Sequence, residues 1–224
     1  MIEILAHRAN LSGPDPAREN SLQACADALA QGFGLEIDLR RTPRGFVISH
    51  DPAPFSERND LRTYAALFSG HRSAPLAVNI KELGYEIELV GLFQKGTFGD
   101  AAFCFDFELL EPRTPGEAQR NVRALPGGSG VRLAARLSDR GEPLGQCLAI
   151  PAEVVWADEF DRLWLTQKEI AAIHGAGRKV YAISPELHGF SAAERRARWA
   201  DFKAWKVDGL CTDFPVEARE FFQS

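Results

Sequence analysis

The chain has 224 residues, 45% of them hydrophobic, enough to bury a sizeable core, and a parallel barrel of this length is ordinarily one domain, here residues 1–224. Its 31 acidic and 26 basic residues give a net charge of −5 with the signs interspersed and no long basic run, which argues against a nucleic-acid partner. Cys25, Cys104, Cys147 and Cys211 lie too far apart for a disulfide framework or a zinc spacing. No apolar segment has the length of a membrane span or the form of a secretory leader, so a soluble cytoplasmic protein without integral membrane association is expected.

Short β-rich apolar runs recur at 2–6, 35–39, 46–49, 76–80, 102–105, 131–135, 154–157, 179–184 and 209–212. Amphipathic stretches with helical spacing separate most of them, at 21–31, 85–94, 167–175 and 192–204. That alternation predicts an α/β fold with a parallel sheet, a single (β/α)₈ TIM barrel. Nine runs are one too many. The connection between Leu39 and Phe46, with Pro43 and Gly45, is too short for a crossover helix and must be a hairpin after the second strand. Eight parallel strands then remain. Counted from a turn near Arg44, Asp38 and His50 should face one another approximately across the hairpin. The "LPGGSG" at 125–130 reads as an ordinary loop before a strand.

Barrel enzymes carry their chemistry at the C-terminal ends of strands. The polar residues just after these runs are His7, Arg8, Glu36, Asp38, His50, Asp51, Asn79, Lys81, Asp106, Asp158, Glu186, His188 and Asp213. Glu36 and Asp38 are two apart on one strand and share a face that points into the barrel. Two convergent carboxylates call for a cation, and a hard divalent ion, Mg²⁺ or Ca²⁺, suits oxygen ligands and polarises a phosphoryl oxygen. The alternative is a pair neutralised by Arg8 or Lys81. His7 and His50 each end a strand and fit a general acid and a general base on opposite sides of one bond. Lys81 shares its face with Asn79, and a fixed ammonium there is a natural phosphate contact.

Four segments carry a resemblance. The opening "LAHRAN", the "ENS" at 19–21, "EIDLRRTPRGFVISHD" at 36–51 and the closing "VDGLCTDFP" at 207–215 resemble, in order and spacing, the glycerophosphodiester phosphodiesterase family. The resemblance implies a barrel, hydrolysis of a phosphodiester, His7 and His50 as acid and base, Arg8 on the phosphate, and metal ligation by Glu36 and Asp38. Its third ligand is usually a glutamate in a strand reading about "IEIK". Here "VNIK" puts Asn79 in that place, an amide that ligates without charge, and Asp106 and Asp158 are candidates to compensate. "SPELHG" at 184–189 departs as well, and Glu186 and His188 could read the alcohol of a different substrate. The short segment after His50 leaves no room for a cap domain.

Three functions follow from these residues. The first is a metal-dependent phosphodiesterase acting on small glycerophosphodiester-like substrates. The second acts on a lipid- or glycan-linked diester, which an exposed apolar patch beside the mouth would favour. The third is a catalytically weak sensor of phosphate esters, for which Asn79 is the best support and the two histidines the best counter-argument. The helical aromatics Trp199, Phe202 and Trp205 are expected to face the core. Oligomeric state is not written in the sequence.

Overall fold

A computed structural model describes residues 2–110 and 114–224. The strands are β1 Glu3–Ala6, β2 Gly34–Thr42, β3 Gly45–Ile48, β4 Leu76–Ile80, β5 Ala102–Phe105, β6 Ala134–Ser138, β7 Val154–Asp158, β8 Lys179–Ile183 and β9 Gly209–Thr212. All but β3 pair in parallel, in the spatial order β5-β4-β2-β1-β9-β8-β7-β6. A bridge between Cys104 and Leu133 joins the two ends, so eight parallel strands form a nearly closed barrel. β3 folds back on β2 as the antiparallel hairpin that the short connection required.

The hairpin register differs by one residue from the expectation. Thr42 pairs with Gly45 across a two-residue Pro43–Arg44 turn, so the amide of Ser49, not that of His50, donates to the Asp38 carbonyl at 3.0 Å. The turn's centre lies between residues 43 and 44, and half a residue at a turn shifts the facing residue by one. β6 also differs, running three residues later than 131–135. Arg136 points into the barrel from its middle, and a charged residue in mid-strand reads in sequence as the strand's end.

The helices are α1 Leu22–Ala30, α2 Leu61–Gly70, α3 Glu86–Gln94, α4 Glu117–Ala124, α5 Leu144–Ala149, α6 Gln167–Gly175, α7 Ala192–Trp205 and α8 Pro215–Gln223. The Ser21 hydroxyl caps α1, and the pairs Thr166–Glu169 and Ser191–Glu194 form capping boxes at α6 and α7. Of the helical aromatics, Trp199 and Phe202 are fully buried between α7 and the sheet, while Trp205 is only partly covered. All four cysteines are buried and unpaired.

Inside the barrel, Leu5, Ala77, Phe103, Phe105, Ala134, Val154, Trp156, Tyr181, Ile183 and Cys211 make an apolar plug. Phe105 stacks on Trp156 at 4.1 Å, and Phe103 packs on Tyr181 at 5.0 Å. Gly209 is required here, because a Cβ would sit 2.1 Å from the Tyr181 ring. The next inward positions toward the C-terminal mouth are polar, so water-excluding packing forms the floor of the site.

The loosest seam, β5 to β6, is sealed by side chains. The Glu108 carboxylate accepts from the Arg136 amide at 2.9 Å, and the Gln119 amide donates to the Ala134 carbonyl at 3.5 Å. Burial pushes the Glu108 carboxyl up to about 7, against the pull of the Arg136 amide. A carboxyl whose folded pKa is raised stabilises the fold below its unfolded value near 4.5 and loses that contribution as pH rises toward 7. Urea denaturation should therefore show stability falling by on the order of 3 kcal/mol across that interval, and Glu108→Gln should flatten the slope. An unchanged slope in the variant would remove Glu108 as its source.

Candidate active site

The site is built where β1, β2, β4 and β9 end. Immediately after β1 the chain makes a tight 3₁₀ turn, His7–Ala9, in which Arg8 and Ala9 have φ of 48° and 63°. Five described non-glycine residues have positive φ, and four of them, Arg8, Ala9, Asn20 and Asp106, lie at this end of the barrel. Such strain persists only where surrounding contacts impose it. Here the Arg8 amide donates to Glu36 at 3.1 Å, which ties the turn to β2.

Glu36 and Asp38 are both buried and project inward from β2. Asp38 is surrounded by donors: Lys81 Nζ at 2.8 Å on one oxygen, and Asn20 Nδ2 at 2.8 Å with Arg8 Nε at 3.5 Å on the other. Burial opposes its ionisation, but the Lys81 ammonium, the bonds from Lys81 and Asn20 and the Arg8 charge hold it below the usual range. Glu36 goes the other way. Burial, and then the Asp38 charge beside it, push its carboxyl up to about 7.

His7 gives Nδ1 to Asp213 Oδ1 at 2.8 Å, and Asn10 Nδ2 donates to the same oxygen at 2.8 Å. Burial works against protonating this imidazole, but the Asp213 bond and the Glu36 and Asp213 charges outweigh it, and its pKa is raised. Asp213, Asn10, Glu19 and Asn20 are thus site residues without a role in the sequence reading. Glu19 accepts from Arg8 at 3.1 Å and from Asn10 Nδ2 at 3.2 Å, so "ENS" supplies site contacts from Glu19 and Asn20 and a helix cap from Ser21.

His50 stands apart. Its side chain is 41% exposed and its Nδ1 pairs at 2.9 Å with Asp51, itself 87% exposed. Arg40 holds the His50 carbonyl at 2.6 Å and 2.8 Å, which fixes the end of the hairpin.

Asp106 and Asp158 do not join the Glu36–Asp38 group. Both clasp the buried guanidinium of Arg136, Asp158 at 2.5 Å, and the other Asp158 oxygen meets His188 Nε2 at 2.5 Å. Arg136 lies one residue beyond the apolar run 131–135, so the sequence does not mark it as an inward-facing residue. Glu186 accepts from the Thr212 hydroxyl at 2.5 Å, from the Asp213 amide at 3.2 Å and from the Ser184 hydroxyl, so its carboxylate is consumed within the barrel rim.

Among the described residues no three His, Cys, Asp or Glu side chains are placed to hold a metal ion. With Asn79 included, the set is two carboxylates and an amide. Asn79 is level with Asp38 across β2 and β4, and its buried Oδ1 has no hydrogen-bond partner. A buried acceptor without a donor, level with Asp38 on the strand next to the one that carries a Glu36 carboxyl raised to about 7, belongs to a donor set that a hard divalent cation would satisfy.

The molecule is therefore a (β/α)₈ barrel with an ionisable cluster at its C-terminal mouth, and solved barrels of one kind resemble it over nearly the whole of this chain. A protein from Galdieria sulphuraria assigned as a glycerophosphodiester phosphodiesterase superposes with a TM-score of 0.77 at 18% identity, covering 100% of this chain and 98% of that one. A glycerophosphoryl diester phosphodiesterase from Parabacteroides distasonis ATCC 8503 gives 0.73 at 15% identity, covering 100% and 86%. A glycerophosphodiester phosphodiesterase from the same organism gives 0.62 at 13% identity, covering 99% and 97%. No family model matches the chain, and no curated protein matches it. The fold is shared with those structures, and the chemistry has to be argued from the site.

Proposed function

We propose that this protein is a phosphoric diester hydrolase acting on glycerophosphodiester-like substrates, releasing an alcohol and a phosphomonoester. The observation that carries the reading is the His7–Asp213 pair beside Glu36, Asp38, Arg8 and Lys81 at one barrel mouth. An imidazole oriented by a buried carboxylate is a proton-transfer group, and two cationic side chains next to it suit a phosphate. His50 is the partner in proton transfer on the opposite side of the scissile bond, delivered by the hairpin. Its exposure leaves it able to meet substrate.

Glu36, Asp38 and Asn79 would hold the divalent ion, Mg²⁺ or Ca²⁺, which supplies charge to polarise a phosphoryl oxygen. Arg8 and Lys81 orient the phosphate. His7 and His50 move the protons, one from the attacking oxygen and one to the leaving alcohol.

A second reading has an observation of its own. Tyr85, Ile87 and Leu109, at 37%, 75% and 55% exposure, are the large apolar residues most open to solvent among those described, and all follow β4 or β5 at the mouth. That placement favours a diester with one lipid-like alcohol. No helix of the described residues is long and apolar enough to cross a membrane.

Hydrolysis of bis(p-nitrophenyl) phosphate and of glycerophosphodiesters, with Mg²⁺, Ca²⁺ or a chelator, tests the proposal. Metal-dependent turnover, lost in His7→Ala and in His50→Ala, is expected, and Asn79→Glu should lower the metal concentration needed for half-activation. Phosphate-ester binding without turnover of any diester would instead make the protein a sensor.

A further inference from the structure

On the other side of the mouth lies a cluster that the proposed proton transfers do not use. Arg136, buried in mid-strand on β6, is clasped by Asp106 and by Asp158. Its guanidinium lies 4.8 Å over the ring of Phe160, and that of Arg140 lies 4.3 Å over the same ring. The remaining oxygen of Asp158 holds His188 Nε2 at 2.5 Å, and the His188 ring packs on Phe160 at 4.3 Å. Three sets of contacts thus fix one imidazole: a carboxylate, the arginine that anchors the carboxylate, and an aromatic ring.

This imidazole is 19% exposed, as open as His7. With Nε2–H given to Asp158, Nδ1 is the ring atom left to accept a hydrogen bond, and no described residue supplies one. The two histidines follow strands that are separated by a single strand. β8, which leads to His188, lies beside β9, and β9 lies beside β1. Glu186, two residues before His188, accepts from the amide of Asp213, the residue that holds His7.

We propose that His188 is a specificity residue, whose Nδ1 accepts a hydrogen bond from a free hydroxyl on the alcohol moiety next to the scissile phosphate. Asp158 and Arg136 are its positioning residues, and Glu186 takes no part in recognition because its carboxylate is spent on Thr212, Ser184 and Asp213. The inference rests on the phosphodiesterase reading and assigns recognition of a substrate hydroxyl within it to one residue. A site built to hydrogen-bond a hydroxyl rejects an analogue lacking it, because its own polar atom is then left unpaired.

The test compares 2,3-dihydroxypropyl p-nitrophenyl phosphate with propyl p-nitrophenyl phosphate, which differ only in two hydroxyls. Both KM, from p-nitrophenolate release, and Kd, from calorimetry, are measured for the parent, His188→Ala and His188→Phe. The phenylalanine keeps the ring on Phe160 and removes both nitrogens. The parent should favour the dihydroxypropyl diester by about tenfold, the worth of one hydrogen bond, and both variants should bring the ratio close to one. The same preference in parent and variants, or none in the parent, overturns the assignment of His188. Selective binding of the hydroxylated diester that depends on His188, with turnover of neither diester, supports the subsite and overturns the phosphodiesterase reading alone.

Discussion

Asp213→Asn is expected to lower turnover of a phosphodiester by about 10²- to 10⁴-fold, the range in which proton transfer by a correctly oriented imidazole contributes. Asp213 Oδ1 takes both His7 Nδ1 and Asn10 Nδ2, each at 2.8 Å. An asparagine keeps the volume and can still offer its oxygen to Asn10. His7 Nδ1 shares that oxygen position, so its bond survives as well, but the carboxylate charge that favours the imidazolium formed during proton transfer is gone. Loss of the carboxylate weakens the bond and removes the Asp213 charge, two of the three contributions that raise the His7 pKa against the effect of burial, the third being the Glu36 charge. The limb of the pH–rate profile belonging to His7 should therefore move to lower pH in the variant. A variant with parental turnover and an unmoved profile would leave His7 without a role as a proton-transfer group.

Arg136→Met should cost about 3–5 kcal/mol of stability at neutral pH, because it strands two buried carboxylates that share one cation. Burial, and the charge of Asp158, already push the Asp106 carboxyl above its usual range while Arg136 and Lys81 oppose them. Without the guanidinium Asp106 should bind a proton still more readily in the folded state than in the unfolded chain. Such groups stabilise below their unfolded pKa and lose that contribution as pH rises, so the deficit should shrink in acid. Asp106→Asn combined with Arg136→Met should recover part of the loss by removing one of the stranded charges. Urea titrations at pH 5 and pH 8 distinguish this from simple loss of packing, which would be equal at both.

Two positions show how the barrel was legible and where it was not. The connection 40–45 is too short for a helix, so the extra strand had to be a hairpin, and Glu36 and Asp38 had to share the inward face of β2 whatever surrounded them. Covalent spacing and strand periodicity are local, and they survive reading in one dimension. α2 is not among the stretches read as helical, although its buried residues Leu61, Tyr64 and Phe68 recur at helical intervals. α4 and α5, with eight and six residues, bury too few apolar side chains to show a period.

Partner choice was not legible. The sequence placed Glu36, Asp38, His7 and Lys81 at strand ends and offered Arg8 or Lys81 to neutralise the carboxylate pair, but it could not say that both, with Asn20, would converge on Asp38, or that Asp213, 206 positions from His7, would orient that imidazole. It offered Asp106 and Asp158 as metal ligands, and the fold gave both to Arg136. The sequence by itself determined the α/β alternation, the hairpin and the residue types that reach the mouth, because these depend on short-range geometry. Only the tertiary structure decided which charges neutralise one another, because an ion pair forms between whichever side chains the closed sheet brings within a few ångströms. The order of strands around a barrel sets that proximity.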